Sequence, residues 1–250
     1  MRLFISLESV EEAMACAHLM PDLDMVDVKK TDEGTLGANY PWVISQIREM
    51  MPAGTRLSAT LSDASYQPGT MALAALGAVV AGADCVQIGL FGVATPEQAG
   101  ELMRGVVRAV KDYDHDRTVV AVGYADARRI GGINPLSVPY VAHESGADGA
   151  MLDTAIKDGS ALFDHVPLSA CAGFIADCHA HGLFAAMAGT IAARHVPDLC
   201  EIDTDIIGVR RAVCLGGDRN GTVQPDLILA MRQAIDDAGQ DRAGRPVAAI

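Results

Sequence analysis

The chain has 250 residues, of which 50% are hydrophobic and 20% are charged, and its formal net charge is −13. This composition supports a large core and excludes an intrinsically disordered chain. The acidic balance argues against a nucleic-acid partner. The lack of an apolar run of about 18 residues argues against a membrane span. The N-terminus does not resemble a signal peptide, and six scattered cysteines are typical of buried thiols, so we expect a cytoplasmic protein.

Eight apolar, strand-like runs alternate with helix-like segments along the chain. The runs cover residues 3–7, 25–29, 56–61, 85–90, 118–123, 149–154, 183–188 and 205–209. Nearly continuous apolar runs of this length are typical of buried parallel strands.

The intervening segments carry helix signals. Ser9 precedes two glutamates and Thr95-Pro96-Glu97 forms a cap, both typical of helix starts. Further helices are predicted to open at Pro41 and to cover 70–81, 96–112, 136–144, 168–181, 196–201 and 225–238. The simplest architecture is a single α/β domain, a (β/α)₈ TIM barrel over residues 1–239, followed by a flexible tail at 240–250. A doubly wound open sheet is the alternative, but the GxGxxG motif it favours is absent.

In such a barrel the catalytic residues lie at the carboxyl ends of the strands. On the second strand Asp27 and Lys29 share one face, while Val26 and Val28 share the other. If the valines pack against helices, the Asp and Lys point into the barrel. Burial would favour the neutral amine, a nucleophile toward carbonyl groups. The alternative is an ordinary ion pair at a strand end.

A second pair with the same residue types follows the sixth strand. Asp153 ends that strand, and Lys157 lies in the loop beyond it. Because the chain has only four lysines, two of them after barrel strands strengthen the catalytic interpretation. Gln87 places an amide within the apolar fourth strand, where it serves catalysis or satisfies a buried neighbour.

The loops after the seventh and eighth strands are the usual phosphate site of this fold. The predicted phosphate-binding residues are Gly189, Thr190, Arg210, Gly216, Gly217 and Asp218, with Arg219 as an alternative to Arg210. Glycine allows the backbone to approach the phosphate closely, and arginine adds paired hydrogen bonds.

Other polar residues at the predicted rim receive no specific role. Asp63, Tyr124 and Asp126 are expected to line the site. His179 and His181 lie at the end of a predicted helix, at the opposite pole, and have no third ligand nearby in the sequence. We therefore expect no metal site.

Long segments resemble one enzyme family. They are DVK at 27–29, EGTLGANYPWVI at 33–44, SAT at 58–60, PGT at 68–70, GAD at 82–84, GLFG at 89–92, MRGVVRAVKD at 103–112, GYADA at 123–127, MLDTAIKDG at 151–159, GVR at 208–210 and GGDRN at 216–220. Together they resemble the (5-formylfuran-3-yl)methyl phosphate synthase family, also called 4-(hydroxymethyl)-2-furancarboxaldehyde-phosphate synthase, of methanofuran biosynthesis.

The resemblance implies a TIM-barrel lyase that condenses two glyceraldehyde 3-phosphates into a phosphorylated furan aldehyde, with loss of water and one phosphate. It places the Schiff-base lysine on Lys29, its acidic neighbour on Asp27, and a second functional pair on Asp153 and Lys157. It implies no metal or organic cofactor. We also expect a homo-oligomer, since such barrels commonly associate.

Two residues depart from the family pattern. Leu215 replaces a lysine often found before the Gly-Gly-Asp turn, and Gln87 is the departure that bears on catalysis. The archaeal members carry a lysine, assigned as proton acceptor, where this chain has Gln87. An amide does not accept a proton at neutral pH, so Lys157 or an aspartate must take that task, or the activity is altered. The alternatives are a class I aldolase-like enzyme acting on triose phosphates and a barrel that binds triose phosphate without turnover.

Overall fold

A computed structural model describes residues 1–244. Its eight strands are β1 (Arg2–Leu7), β2 (Met25–Val28), β3 (Arg56–Thr60), β4 (Cys85–Gly89), β5 (Thr118–Tyr124), β6 (Gly149–Asp153), β7 (Phe184–Met187) and β8 (Ile206–Val209). Neighbouring strands are parallel, and β8 pairs with β1, which closes the barrel in sequence order. The predicted (β/α)₈ barrel is confirmed.

Ten helices surround the barrel in the described part of the chain. They are α1 (Val10–Cys16), α2 (Pro41–Met50), α3 (Pro68–Val80), α4 (Pro96–Tyr113), α5 (Ala127–Ile130), α6 (Val138–Ser145), α7 (Leu162–His165), α8 (Leu168–Ala180), α9 (Val196–Glu201) and α10 (Pro225–Gly244). The predicted caps form: the Ser9 hydroxyl accepts the amide of Glu12, and the Thr95 hydroxyl accepts that of Gln98. The sequence analysis missed α5 and α7, each a single turn within a loop.

The C-terminal boundary differs from the expectation. The last helix continues to Gly244, beyond the expected start of the tail at residue 240. Gln, Asp, Arg and Ala at 240–243 all tolerate a helix. The rest of the expected tail, 245–250, lies outside the described residues.

Strand alternation divides the core into two layers. The outer layer joins the strands to the helices and contains Val26 and Val28. The inner layer fills the barrel and includes Phe4, Met25 and Met151. Because Asp27 and Lys29 alternate with the two valines, they face inward, as their spacing predicts.

The described residues contain no helix that is both long enough and apolar enough to cross a bilayer. All six cysteines are buried.

Glycine at 208 makes room for an aromatic ring inside the barrel. A Cβ built on Gly208 would overlap the ring of Phe4. We predict that Gly208→Ala lowers the free energy of unfolding by about 1–3 kcal/mol through overpacking, measured by urea denaturation.

A matched control is available in α8. A Cβ on Gly173 would meet no atom within 4 Å. Gly173→Ala should therefore raise stability by about 0.5–1 kcal/mol, because alanine favours helix. Equal stabilities of the two variants would contradict this account of the barrel interior.

Candidate active site

A pocket opens at the carboxyl ends of the strands. It is lined by Phe4, Ser6, Asp27, Lys29, Leu36, Gln87, Met151, Asp153, Lys157, Ala188, Gly189, Thr190, Ile191, Gly208, Val209, Arg210, Arg211 and Arg219. All five predicted catalytic residues therefore lie around one pocket.

Lys29 follows β2 and is 9% exposed. Its backbone amide donates to the carbonyl of Leu7, and its own carbonyl accepts the Asn39 side-chain amide at 3.0 Å, which fixes the backbone there. The Lys29 amine forms no salt bridge with any residue between 1 and 244. Burial lowers the pKa of this amine, and the charges of Asp27 and Asp153 oppose the shift. The environment therefore favours the nucleophilic, neutral form.

Asp27 lies one layer deeper and accepts two hydrogen bonds. Ser6 and Ser58 occupy the paired positions on the neighbouring strands. The hydroxyl of Ser6 donates to Asp27 Oδ2 at 3.0 Å, and Gln87 Nε2 donates to both Asp27 Oδ1 at 3.0 Å and Ser58 Oγ at 2.7 Å. Burial raises the pKa of the Asp27 carboxyl, while Lys29 and the serines lower it. A carboxylate with a raised pKa is a stronger base than a solvated one, which suits it to proton transfer.

The carbonyl end of the Gln87 amide has no partner among the described residues. Gln87 is 3% exposed and lines the pocket, and its Oε1 atom accepts no hydrogen bond. Buried polar atoms are normally paired. This oxygen is therefore an acceptor for a hydroxyl or protonated group bound in the pocket.

The second predicted pair forms a direct contact. Lys157 Nζ donates to Asp153 Oδ1 at 2.7 Å and to Thr154 Oγ1 at 3.1 Å. Asp153 is buried, and Lys157 reaches it from the loop after β6. This ammonium can donate a proton or hold an anion at the pocket wall.

A strap formed by residues 34–37, after β2, covers one side of the barrel mouth. The Thr35 hydroxyl lies 3.0 Å from the carbonyl oxygen of Thr154 and 2.9 Å from that of Ala155, on the loop after β6. Leu36 is buried inside the barrel, and its amide donates to Asp63. The strap thereby connects the loop after β2 to the loop after β6, and Leu36 forms part of the pocket wall.

The rim residues without a predicted role turn out to support loops. Asp63 accepts hydrogen bonds from the Tyr124 hydroxyl and the Leu36 amide beneath the strap. Asp126 accepts the amides of Ala155 and Ile156 at 2.7 and 2.9 Å. Neither carboxylate lines the pocket.

Two of the predicted phosphate residues lie in the pocket with unusual backbone angles. Gly189 has φ +93° and Thr190 has φ +57°. A Cβ on Gly189 would also approach Thr154 to 3.1 Å, so glycine is required there. A left-handed conformation is uncommon for threonine and is often found at functional sites.

Arg210 does not have the free guanidinium expected of a phosphate ligand. It donates to Glu12 at 2.9 Å, to Glu8 at 2.7 Å and to the carbonyls of Ser6, at 2.9 Å, and Arg219, at 2.7 Å. A buried arginine needs such partners because its charge is costly to desolvate. Arg210 is therefore a structural cross-link beside the pocket, and the strand pattern could not show these partners.

The other predicted phosphate residues are displaced from the pocket. Gly216 and Gly217 line a neighbouring cavity, and exposed Asp218 accepts a hydrogen bond from the backbone amide of Asn220 at 3.1 Å.

Arg219, the alternative to Arg210, lines the pocket and donates to the carbonyl of Gly34 in the strap at 3.0 Å.

The sequence analysis missed Ser6, Ser58 and Arg211. The serines belong to the hydrogen-bond layer around Asp27, and Arg211 lines the pocket. The signal for Ser6 and Ser58 was a polar residue at an inward position of an apolar strand, the same signal that singled out Gln87.

No group of three potential metal ligands occurs within residues 1–244. His179 lies 2.9 Å from Asp205, and His181 stacks on His143.

Comparison with known proteins points to one family. The sequence model of 4-HFC-P synthase matches residues 3–232. The (5-formylfuran-3-yl)methyl phosphate synthase of Methanocaldococcus jannaschii is 50% identical over 230 residues, covering 92% of this chain and 96% of the relative. A Streptomyces griseus relative, whose name assigns the same activity provisionally, is 56% identical over 249 residues, covering 99% of this chain and all of the relative.

Solved structures share the fold at low sequence identity. 3-Hexulose-6-phosphate synthase gives a TM-score of 0.65 at 20% identity, covering 94% of this chain and all of that one. KGPDC from Streptococcus mutans gives a TM-score of 0.67 at 14% identity, covering 94% of this chain and 97% of that one. These likenesses support the barrel architecture.

The assignment of Arg210 to a structural role predicts a stability effect without ligand. Arg210→Gln should lower the free energy of unfolding by about 3–5 kcal/mol, because Glu8 and Glu12 lose their buried partner. Urea denaturation of the ligand-free protein measures this change.

Arg108→Gln is the control, since its exposed pair with Asp112 on α4 contributes about 0.3–0.5 kcal/mol. If Arg210→Gln kept wild-type stability and only weakened substrate binding, the structural role would be wrong.

Proposed function

Because the chain belongs to the 4-HFC-P synthase family, we propose that it condenses two glyceraldehyde 3-phosphates into 4-(hydroxymethyl)-2-furancarboxaldehyde phosphate through a Schiff base on Lys29. The observation that carries this proposal is the buried Lys29 amine, which lines the pocket beside the Asp27 and Asp153 carboxylates. The chain is an enzyme of this family, and the proposal concerns its substrate and its mechanism.

The first step is addition of the neutral Lys29 amine to the carbonyl carbon of one triose phosphate. A carbon–nitrogen bond forms, water leaves, and the nitrogen becomes a cationic iminium. Lys157 suits the role of acid for the departing hydroxyl, since its ammonium lies on the pocket wall beside Asp153. Asp27 and Asp153 stabilise the new positive charge electrostatically.

The second step is removal of a proton from the carbon next to the iminium. The electron pair of that bond moves into the enamine and neutralises the nitrogen. Asp27 is the base best placed for this step, because it is held by Ser6 and Gln87 in the same inward layer. Gln87 thereby orients the Asp27 carboxylate. At the position of Gln87 the archaeal members of the family carry a lysine.

The enamine carbon then attacks the aldehyde carbon of the second triose phosphate and forms the carbon–carbon bond. Losses of water and one phosphate, with ring closure, give the aromatic furan and free Lys29. The Gly189 and Thr190 backbone and the Arg219 guanidinium line the pocket where a substrate phosphate would be held. No step requires a metal or an organic cofactor.

Borohydride trapping tests the nucleophile. Reduction in the presence of glyceraldehyde 3-phosphate should add the mass of one reduced triose phosphate to the peptide that contains Lys29, read by mass spectrometry. Lys29→Met should abolish both the adduct and furan formation, because no other amine occupies this position.

Lys30→Met is the matched control, since Lys30 is adjacent in sequence but pairs with Asp32 outside the pocket. An adduct on Lys30 or Lys157, or full turnover by Lys29→Met, would overturn the mechanism. Product analysis separates the alternatives: reversible aldol cleavage without a furan chromophore identifies an aldolase, and binding without phosphate release identifies a non-catalytic barrel.

Burial of Lys29 predicts a shifted pH dependence. Its lowered pKa means that the amine form persists to lower pH than for a solvated lysine. Competitive acetylation followed by peptide mass spectrometry should give a midpoint for Lys29 below the pKa of a solvated lysine side chain. Asp27→Asn should move the midpoint further down, because the lost carboxylate no longer stabilises the ammonium. A midpoint that rises in this variant would refute the coupling.

A further inference from the structure

A second cavity adjoins the active-site pocket between the loops after β7 and β8. Its volume is about 420 Å³. It is lined by Thr190, Ile191, Ala192, Arg194, Arg211, Ala212, Cys214, Gly216, Gly217 and Leu227. Because Thr190, Ile191 and Arg211 line both cavities, the two spaces meet at these residues. We call this second space the outer cavity.

The outer cavity is positively charged in a strongly acidic protein. Among its described lining residues are two guanidinium groups, on Arg194 and Arg211, and no carboxylate. The net charge of the whole chain is −13. A local site of opposite sign attracts an anion regardless of the global charge.

The two guanidinium groups of the outer cavity form no salt bridge within the described part of the chain. Neither Arg194 nor Arg211 takes part in its salt bridges, and Arg211 is only half-buried. Arg210, one residue away, has its guanidinium saturated by Glu8, Glu12 and carbonyl groups. The arginines of the outer cavity therefore keep donors free for paired hydrogen bonds to a phosphate.

The proposed reaction needs two triose phosphates bound at once, one of them attached to Lys29. We propose that Arg194 and Arg211 bind the phosphate of the second, non-covalent triose, while the phosphate of the first stays in the inner pocket near Gly189 and Arg219. This inference rests on the proposed function. A phosphate held by Arg211 would lie at the boundary that the outer cavity shares with the pocket lined by Lys29.

Because the two phosphates are assigned to different cavities, two measurable steps should respond differently to substitution. Trapping on Lys29 needs only the first triose, whereas furan formation needs both. In Arg194→Gln and Arg211→Gln, the glyceraldehyde 3-phosphate concentration for half-maximal furan formation should rise about tenfold or more, because a charge-assisted contact is lost. The concentration for half-maximal borohydride trapping on Lys29 should stay within about twofold of wild type. Arg108→Gln, on the outer face of α4, should leave both values unchanged.

A binding measurement makes the test independent of turnover. Calorimetric titration of the Lys29→Met variant with inorganic phosphate should detect two sites per chain. A variant that combines Lys29→Met with Arg194→Gln and Arg211→Gln should have only one of these sites. If trapping weakens as much as furan formation, the arginines serve the first triose and the inference is wrong. The inference is also wrong if the glyceraldehyde 3-phosphate concentration for half-maximal furan formation is unchanged in the arginine variants. It is equally wrong if both phosphate sites remain after the two arginine substitutions. Failure of wild-type trapping alone refutes the Schiff base and leaves the phosphate titration to decide the outer cavity.

Discussion

The desolvation of one amine inside the barrel mouth is the constraint on which the site depends. Lys29 is held at the end of β2, where water has little access and where Asp27 and Asp153 are the nearest negative charges. Desolvation disfavours the ammonium, and the two carboxylates partly restore it. The net effect is a lowered pKa of the Lys29 amine, the property on which the proposed Schiff base depends.

Much of the surrounding structure serves to keep that environment dry and ordered. The strap at 34–37 closes one side of the mouth through Thr35, while Leu36 fills the barrel below it. Arg210 fastens the β8 loop to Glu8 and Glu12 at the opposite side. The pocket is thus bounded by polar cross-links between loops, and the barrel strands beneath supply a rigid floor.

Gln87 illustrates how a neutral residue takes part in a charged site. Its amide donates to Asp27 and Ser58, which fixes the carboxylate by hydrogen bonding rather than by charge. Because Gln87 is neutral, it adds no positive charge to the pocket. The amino groups that line the pocket are those of Lys29 and Lys157. In the proposed mechanism Asp27 transfers the proton, and the Gln87 Oε1 atom accepts no hydrogen bond from the described residues.

The sequence by itself determined the barrel and the inward face of β2, because strand alternation separates Asp27 and Lys29 from the valines with no knowledge of distant contacts. It also placed Asp153, Lys157 and Gln87 at the same rim. Only the tertiary structure decided which arginine after β8 keeps a guanidinium group without a carboxylate partner among the described residues. Arg210 and Arg211 are neighbours in sequence, yet carboxylates about 200 residues earlier saturate the first alone. Such partners depend on loop packing, which local patterns do not encode.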